Sequence, residues 1–105
     1  MFDIIIKNAA IIDGSGKEGF AADIGISNDR IVKIGRIEES GRQIIDANGL
    51  VVSPGFVDCH SHSDYYLIIN PLAESKIRQG VTTEIGGNCG YSSAPLSGEA
   101  LEERK

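Results

Sequence analysis

The 105 residues contain no tryptophan, one methionine, three prolines and only two cysteines. Two cysteines are too few to staple a small secreted fold, so Cys59 and Cys89 call for another explanation. Basic side chains are also scarce: 10 lysines and arginines stand against 15 acidic residues, for a formal charge of -5. No lysine/arginine cluster breaks that pattern, and without a basic field to gather phosphates nucleic acid is not an expected partner. Long apolar runs are absent as well. The opening "MFDIIIKNAAIIDG" is interrupted by Asp3, Lys7, Asn8 and Asp13, far short of the roughly 20 apolar residues a membrane span needs. No membrane association is expected. The opening lacks a basic leader followed by a small-residue cleavage site, which reads as a cytoplasmic protein.

What is present suits a soluble globular chain, with 41% hydrophobic and 24% charged residues. Its length allows one modest domain, so any larger architecture is incomplete here. Thirteen glycines exceed the usual share of about 7%, which favours strands and tight turns over long helices.

The first half reads as short strands separated by turn chemistry. "FDIIIKNAAIID" is rich in β-branched isoleucine and stops at the glycines of "DGSGKEG". "ADIGISNDRIVKIG" is a hairpin candidate turning at Asn28-Asp29, and "RQIIDANGLVV" repeats the pattern around Asn48-Gly49. After Pro54-Gly55 the character changes. "GFVDCHSH" reads as a strand with polar residues gathered at its carboxyl end, and "NPLAESKIRQG" as a helix. That helix would have Asn70 as N-cap, Pro71 in the first position, Lys76 and Arg78 near its end and Gly80 as its stop. "VTTEIGG" is the next strand, "NCGYSSAPLSG" a loop and "EALEERK" the start of another helix. Strand, helix and strand in this order form a βα unit feeding a second parallel strand. The fold class is therefore α/β preceded by an all-β part.

Chemistry concentrates at the end of the first of those two strands. In a strand, residues two apart share a face, so Asp58, His60, His62 and Asp64 are expected to line one side, and Cys59 and Ser61 the other, where Cys59 would pack. Two imidazoles on one face can converge on a single ion, and zinc suits imidazole and thiolate together. A neighbouring carboxylate could orient a ring N–H or join the coordination. An isolated His-x-His is more often a polar strand rim, but four ionisable groups directly before a loop exceed what a rim needs. Cys89, in the glycine-flanked "GGNCGYS", reads equally as a thiolate ligand or as a small buried hydrophobe.

Together, "GFVDCHSHSD", "QGVTTEIGGNCGYSSAP" and "FDIIIKNAAIIDGSG" resemble the amidohydrolase superfamily and, within it, the D-aminoacylase (N-acyl-D-amino-acid deacylase) group. The resemblance runs from about Phe2 to Pro95. It implies a small β-sandwich, of which residues 1–52 would be the amino-terminal share, followed from residue 53 to 105 by the first βα units of an incomplete (β/α)8 TIM barrel. It implies further that His60, His62 and Cys89 are metal ligands, that Asp64 has a supporting role, and that one or two Zn2+ ions serve each full-length subunit. The general acid/base aspartate, the remaining metal histidines and the substrate-carboxylate residues would lie on later strands, which this chain lacks. A barrel needs about 250 residues. The chain is thus expected to be inactive alone and to need the remainder of its own polypeptide. The substrate implied is an N-acyl-D-amino acid. A cyclic-amide hydrolase or deaminase of the dihydroorotase/hydantoinase kind is the alternative within the superfamily, against which Cys89 argues. A noncatalytic β-rich binding protein is the alternative outside it.

Overall fold

The computed structural model describes residues 1–92, 94, 95 and 97–103. Two compact units divide the chain, Met1–Pro54 and Gly55–Lys105.

The first unit is a five-stranded sheet built around β1 (Phe2–Ile11). Strand β2 (Phe20–Ser27) pairs with it antiparallel, and β3 (Arg30–Gly35) pairs antiparallel with β2. The β2–β3 hairpin turns where expected: Asn28 takes φ 54°, a left-handed conformation that asparagine tolerates better than most residues. Isoleucine alternation then does its work. Ile24 joins Ala9, Ile11 and Ala47 in a buried cluster, while Ile5 and Ile37 are also sealed from solvent.

Asn48-Gly49 makes a turn but not a hairpin. Strands β4 (Gly41–Asp46) and β5 (Val51–Val52) both run parallel to β1 along its second edge, β4 beside Phe2–Lys7 and β5 beside Ala10–Ile11. The chain leaves that edge after Ala47, whose N–H donates to the Lys7 carbonyl at 2.8 Å, and rejoins it at Leu50, whose carbonyl accepts the Ala10 N–H at 3.2 Å. At that level β1 itself is irregular, with a shift in its register against β2 between Ile6 and Ala9. Asn8, at φ 59°, breaks the strand's regular ladder, and its side chain donates to Asp46 at 2.9 Å. Asp23, the buried carboxylate of this sheet, is fully partnered by Lys7 Nζ at 2.9 Å and by the N–H groups of Asn8 and Ile37 at 3.0 Å each.

The second unit holds a parallel pair, β6 (Phe56–Asp58) and β7 (Val81–Glu84), as the βα reading expects. Its helical content differs from expectation. Instead of one helix starting at Pro71, two single turns form, α1 (Tyr66–Ile69) and α2 (Glu74–Ile77). Asn70 ends the first rather than capping the second. A residue before proline is pushed out of the helical region, and Asn70 sits at φ -127°, ψ 82°. Ala73, left-handed at φ 45°, precedes α2 without a side-chain cap. Gly80, at φ 79°, stops the chain's helical course as expected. A short 3-10 turn spans Asn88–Gly90, and α3 (Glu99–Glu102) occupies the tail. Of the tail and loop expectations, Ser93, Leu96, Arg104 and Lys105 lie outside the described residues. Among the described residues no helix is long and apolar enough to cross a membrane.

Candidate metal centre

Strand β6 stops at Asp58, so His60 and His62 do not alternate along a strand. Local side-chain bonds replace the ladder. Asp58 Oδ1 accepts the His60 N–H at 3.1 Å, and Ser61 Oγ accepts the Ser63 N–H at 3.3 Å. Both are bonds to the backbone two residues on, the kind that competes with sheet pairing for short polar side chains. The two rings nevertheless meet, with centroids 5.4 Å apart and planes inclined at 60°.

Cys89 arrives from beyond β7. It occupies φ 55°, ψ 30°, a left-handed conformation uncommon for a residue with a Cβ. This conformation brings Sγ to 3.4 Å from His60 Nε2. One ligand atom each from His60, His62 and Cys89 all lie within 4.8 Å of one another, and all three residues are exposed. Cys89 is therefore not the buried hydrophobe that its residue type alone left open. Cys59 does not pack either; it is exposed, its thiol 3.9 Å from the Val57 carbonyl, because the turn at Asp58 removes the opposite strand face.

The donor set suits zinc. From metal–sulfur and metal–nitrogen lengths of about 2.3 and 2.0–2.1 Å, the sulfur-to-nitrogen edge of a tetrahedral site is about 3.5 Å, and the Cys89–His60 separation of 3.4 Å is close to it. Three protein ligands leave a tetrahedral ion one open position, as catalytic sites do.

Asp58 and Asp64 do not touch the rings as possible ligand or orienting groups. Asp58 Oδ2 instead accepts from Lys76 Nζ at 2.8 Å, and Lys76 reaches Glu84 at the end of β7, also at 2.8 Å. The Lys76 ammonium holds both carboxyls below their ordinary range, helped at Asp58 by the His60 N–H and at Glu84 by Ser63. The two carboxylates in turn raise Lys76. Buried Ser61 and its neighbour Ser63 complete this knot, with Ser63 donating to Glu84 at 2.5 Å and Lys76 donating to Ser61 at 3.1 Å. Asp64 turns to the cysteine loop, where Oδ1 accepts the Gly87 N–H at 2.7 Å.

A profile of the Amidohydrolase family matches residues 43–102, more than half of the chain. The chain belongs to the amidohydrolase family. It is 45% identical over 97 residues to a D-aminoacylase of Alcaligenes xylosoxydans xylosoxydans, covering 91% of this chain and 20% of that enzyme. A solved D-aminoacylase with a binuclear metal centre superposes with a TM-score of 0.84 at 47% identity, again over 91% of this chain and 20% of that one. The N-acyl-D-glutamate deacylase of Bordetella bronchiseptica, solved with zinc and a phosphonate mimic of the tetrahedral intermediate, gives 0.82 at 41% identity over 90% of this chain and 20% of that one. The amidohydrolase chain thus spans about a fifth of the length of these relatives, and its β-rich beginning and parallel pair share their fold.

Reading the amidohydrolase's residues in order missed three participants. Lys76 looks like a helix-end cation, but on a helix of four residues it faces the strand pair instead. Glu84 reads as an ordinary strand residue, and Asn88 as loop filler. The β6–β7 pairing sets Glu84 beside Asp58, Lys76 bridges the two, and Asn88 Nδ2 donates to the Ser61 carbonyl at 3.1 Å.

Proposed function

We propose that this chain supplies the first metal-holding part of a zinc-dependent enzyme that hydrolyses the amide bond of N-acyl-D-amino acids. The observation that carries the reading is the convergence of His60, His62 and Cys89, drawn from two separate loops, to within 4.8 Å. The names of the relatives support the substrate class, since D-aminoacylase and N-acyl-D-glutamate deacylase act on such compounds. In this reading residues 1–52 belong to a β-sandwich and 53–105 open the barrel.

Bound at this cluster, zinc would supply Lewis-acid polarisation and a bound water ionising near neutral pH. The rest is the work of the chain. His60 and His62 would offer the ion imidazole nitrogens, and Cys89 its sulfur. Lys76 pairs with both Asp58 and Glu84 beside the histidine loop, which ties these carboxylates to the ammonium rather than to the ion. The overall reaction adds water across the amide: the carbonyl carbon gains oxygen, the C–N bond breaks, and the leaving nitrogen takes a proton, yielding a carboxylate and a free D-amino acid. No carboxylate stands in the His60–His62–Cys89 group, so proton delivery to the leaving amine is assigned to a residue outside it, and the 105-residue chain by itself is proposed to give no turnover.

The test compares N-acetyl-D-amino acids, their L-enantiomers and cyclic amides as substrates for the zinc-loaded full-length protein carrying this chain, before and after chelation. Turnover of the D-series that chelation abolishes and zinc restores is expected. Turnover confined to cyclic amides, or activity indifferent to chelator, contradicts the reading.

A further inference from the structure

The left-handed backbone of Cys89 raises the matter of what holds it. A non-glycine residue at φ 55° persists only where its surroundings over-determine it, and the residue lacks support from burial because it is exposed. Two side chains outside the ligand trio supply that support. Asp64, from the histidine loop, accepts the Gly87 N–H at 2.7 Å. Asn88, from the cysteine loop, donates through Nδ2 to the Ser61 carbonyl at 3.1 Å and to the Ile85 carbonyl at 2.8 Å. One tether thus runs in each direction between the segments bearing the histidines and the thiol.

Asp64 also packs closely against Gly86. A Cβ placed on Gly86 would sit 2.7 Å from Asp64 Oδ1, inside any acceptable contact. Gly87, at φ 79°, then takes the backbone turn that aims its N–H at that oxygen. Asp64 Oδ2 is buried and has no hydrogen-bond partner among the described residues, so this carboxylate is oriented by the Gly87 bond rather than shared among several donors.

We propose that Asp64 and Asn88 are positioning residues that lock the Gly86–Gly90 turn onto the histidine loop, setting the Cys89 sulfur opposite His60 before any metal arrives. The proposal rests on the reading of Cys89 as a metal ligand. Preorganisation of this kind shows in affinity: loss of partners that orient a ligand typically weakens metal binding by about 10–100-fold.

The experiment uses the full-length protein in two states. In the metal-free state, amide hydrogen exchange at Gly87 is measured for wild type, Asp64→Ala, Asn88→Ala and Asp64→Asn. After titration with Co2+ as probe, affinity and the intensity of the near-ultraviolet sulfur-to-cobalt band per bound ion are read. Asp64→Ala should speed Gly87 exchange by about tenfold or more, and both alanine variants should lose about 10–100-fold in Co2+ affinity with a weakened sulfur band. Asp64→Asn retains an acceptor oxygen and should restore all three quantities, which a general loss of stability would not allow. Wild-type exchange, affinity and band in both alanine variants would overturn the proposal. Should Asp64→Ala fail to fold, Gly86→Ala displaces the same oxygen, and an unchanged Gly87 amide there overturns it equally. A wild-type protein with no sulfur band but with Asp64-dependent Gly87 exchange would sink the ligand reading of Cys89 while supporting the tether.

Discussion

The two units of the chain are held together by different physics. Met1–Pro54 buries isoleucine and alanine around β1, and every buried hydrophobe among the described residues belongs to it. Gly55–Lys105 buries Ser61 instead and relies on the Lys76 ion pairs, the serine bonds and the Asp64 and Asn88 tethers. Burial is nondirectional and yields stability, whereas a satisfied polar network fixes where particular atoms lie. The second unit carries the candidate metal centre, and it is the one whose order is written in hydrogen bonds.

The difference can be broken from the side of the first unit. Ile5 is fully buried, so Ile5→Ala should destabilise the sheet by about 2–5 kcal/mol, read as lost amide protection in β1 and β2. All three tyrosines, Tyr65, Tyr66 and Tyr91, lie in the second unit, so tyrosine fluorescence in the same denaturant series should keep its wild-type midpoint. A shared shift would show that the two units draw on one source of stability.

From the side of the second unit, Cys89→Ala should lower zinc affinity on the order of 100-fold, measured by competition with a chromogenic chelator, while β1 amide protection stays as it was.

Acid tests where that contrast is incomplete, because the first unit also buries a polar network, around Asp23. Asp23 is held down to about 2, first by the hydrogen bond from Lys7 and then by the Asn8 and Ile37 N–H groups. A depressed carboxyl stabilises the fold above its unfolded value, and that contribution is lost as pH falls through the folded value. The sheet should therefore lose on the order of 2 kcal/mol between pH near 4 and 2, followed by exchange in β1, and Asp23→Asn should remove this dependence.

The smallest effect is expected at Lys76, whose partners are part-exposed. Lys76→Met should let the Asp58 and Glu84 carboxyls titrate at higher pH than in wild type, visible in their carboxyl carbon shifts. Unmoved titrations would show that the ammonium is not what holds them down.

How much of this was legible beforehand follows the same division. Alternating isoleucines and the Asn28-Asp29 turn declare the β2–β3 hairpin because period and turn chemistry are local properties. The parallel pairing of β4 and β5 with β1 is not local, and the Asn48-Gly49 signal pointed to a hairpin that does not form. At the site, His60, His62 and Cys89 were each identifiable from residue type, motif and family resemblance. Strand periodicity predicts the histidines' convergence by alternation, whereas the structure uses turns at Asp58 and Ser61. The resemblance gives Asp64 a supporting role but not its partner at Gly87; Lys76, Glu84 and Asn88 act through atoms brought together from distant positions, and spacing along one segment carries no trace of them.

The central claim is that two imidazoles and one sulfur grip a common ion. X-ray absorption spectroscopy of the full-length protein loaded with one equivalent of zinc tests it most directly. A first shell containing one sulfur at about 2.3 Å beside nitrogens at about 2.0–2.1 Å, with the sulfur lost in Cys89→Ala, is the predicted result. A shell of nitrogen and oxygen alone, unchanged by that substitution, would contradict it.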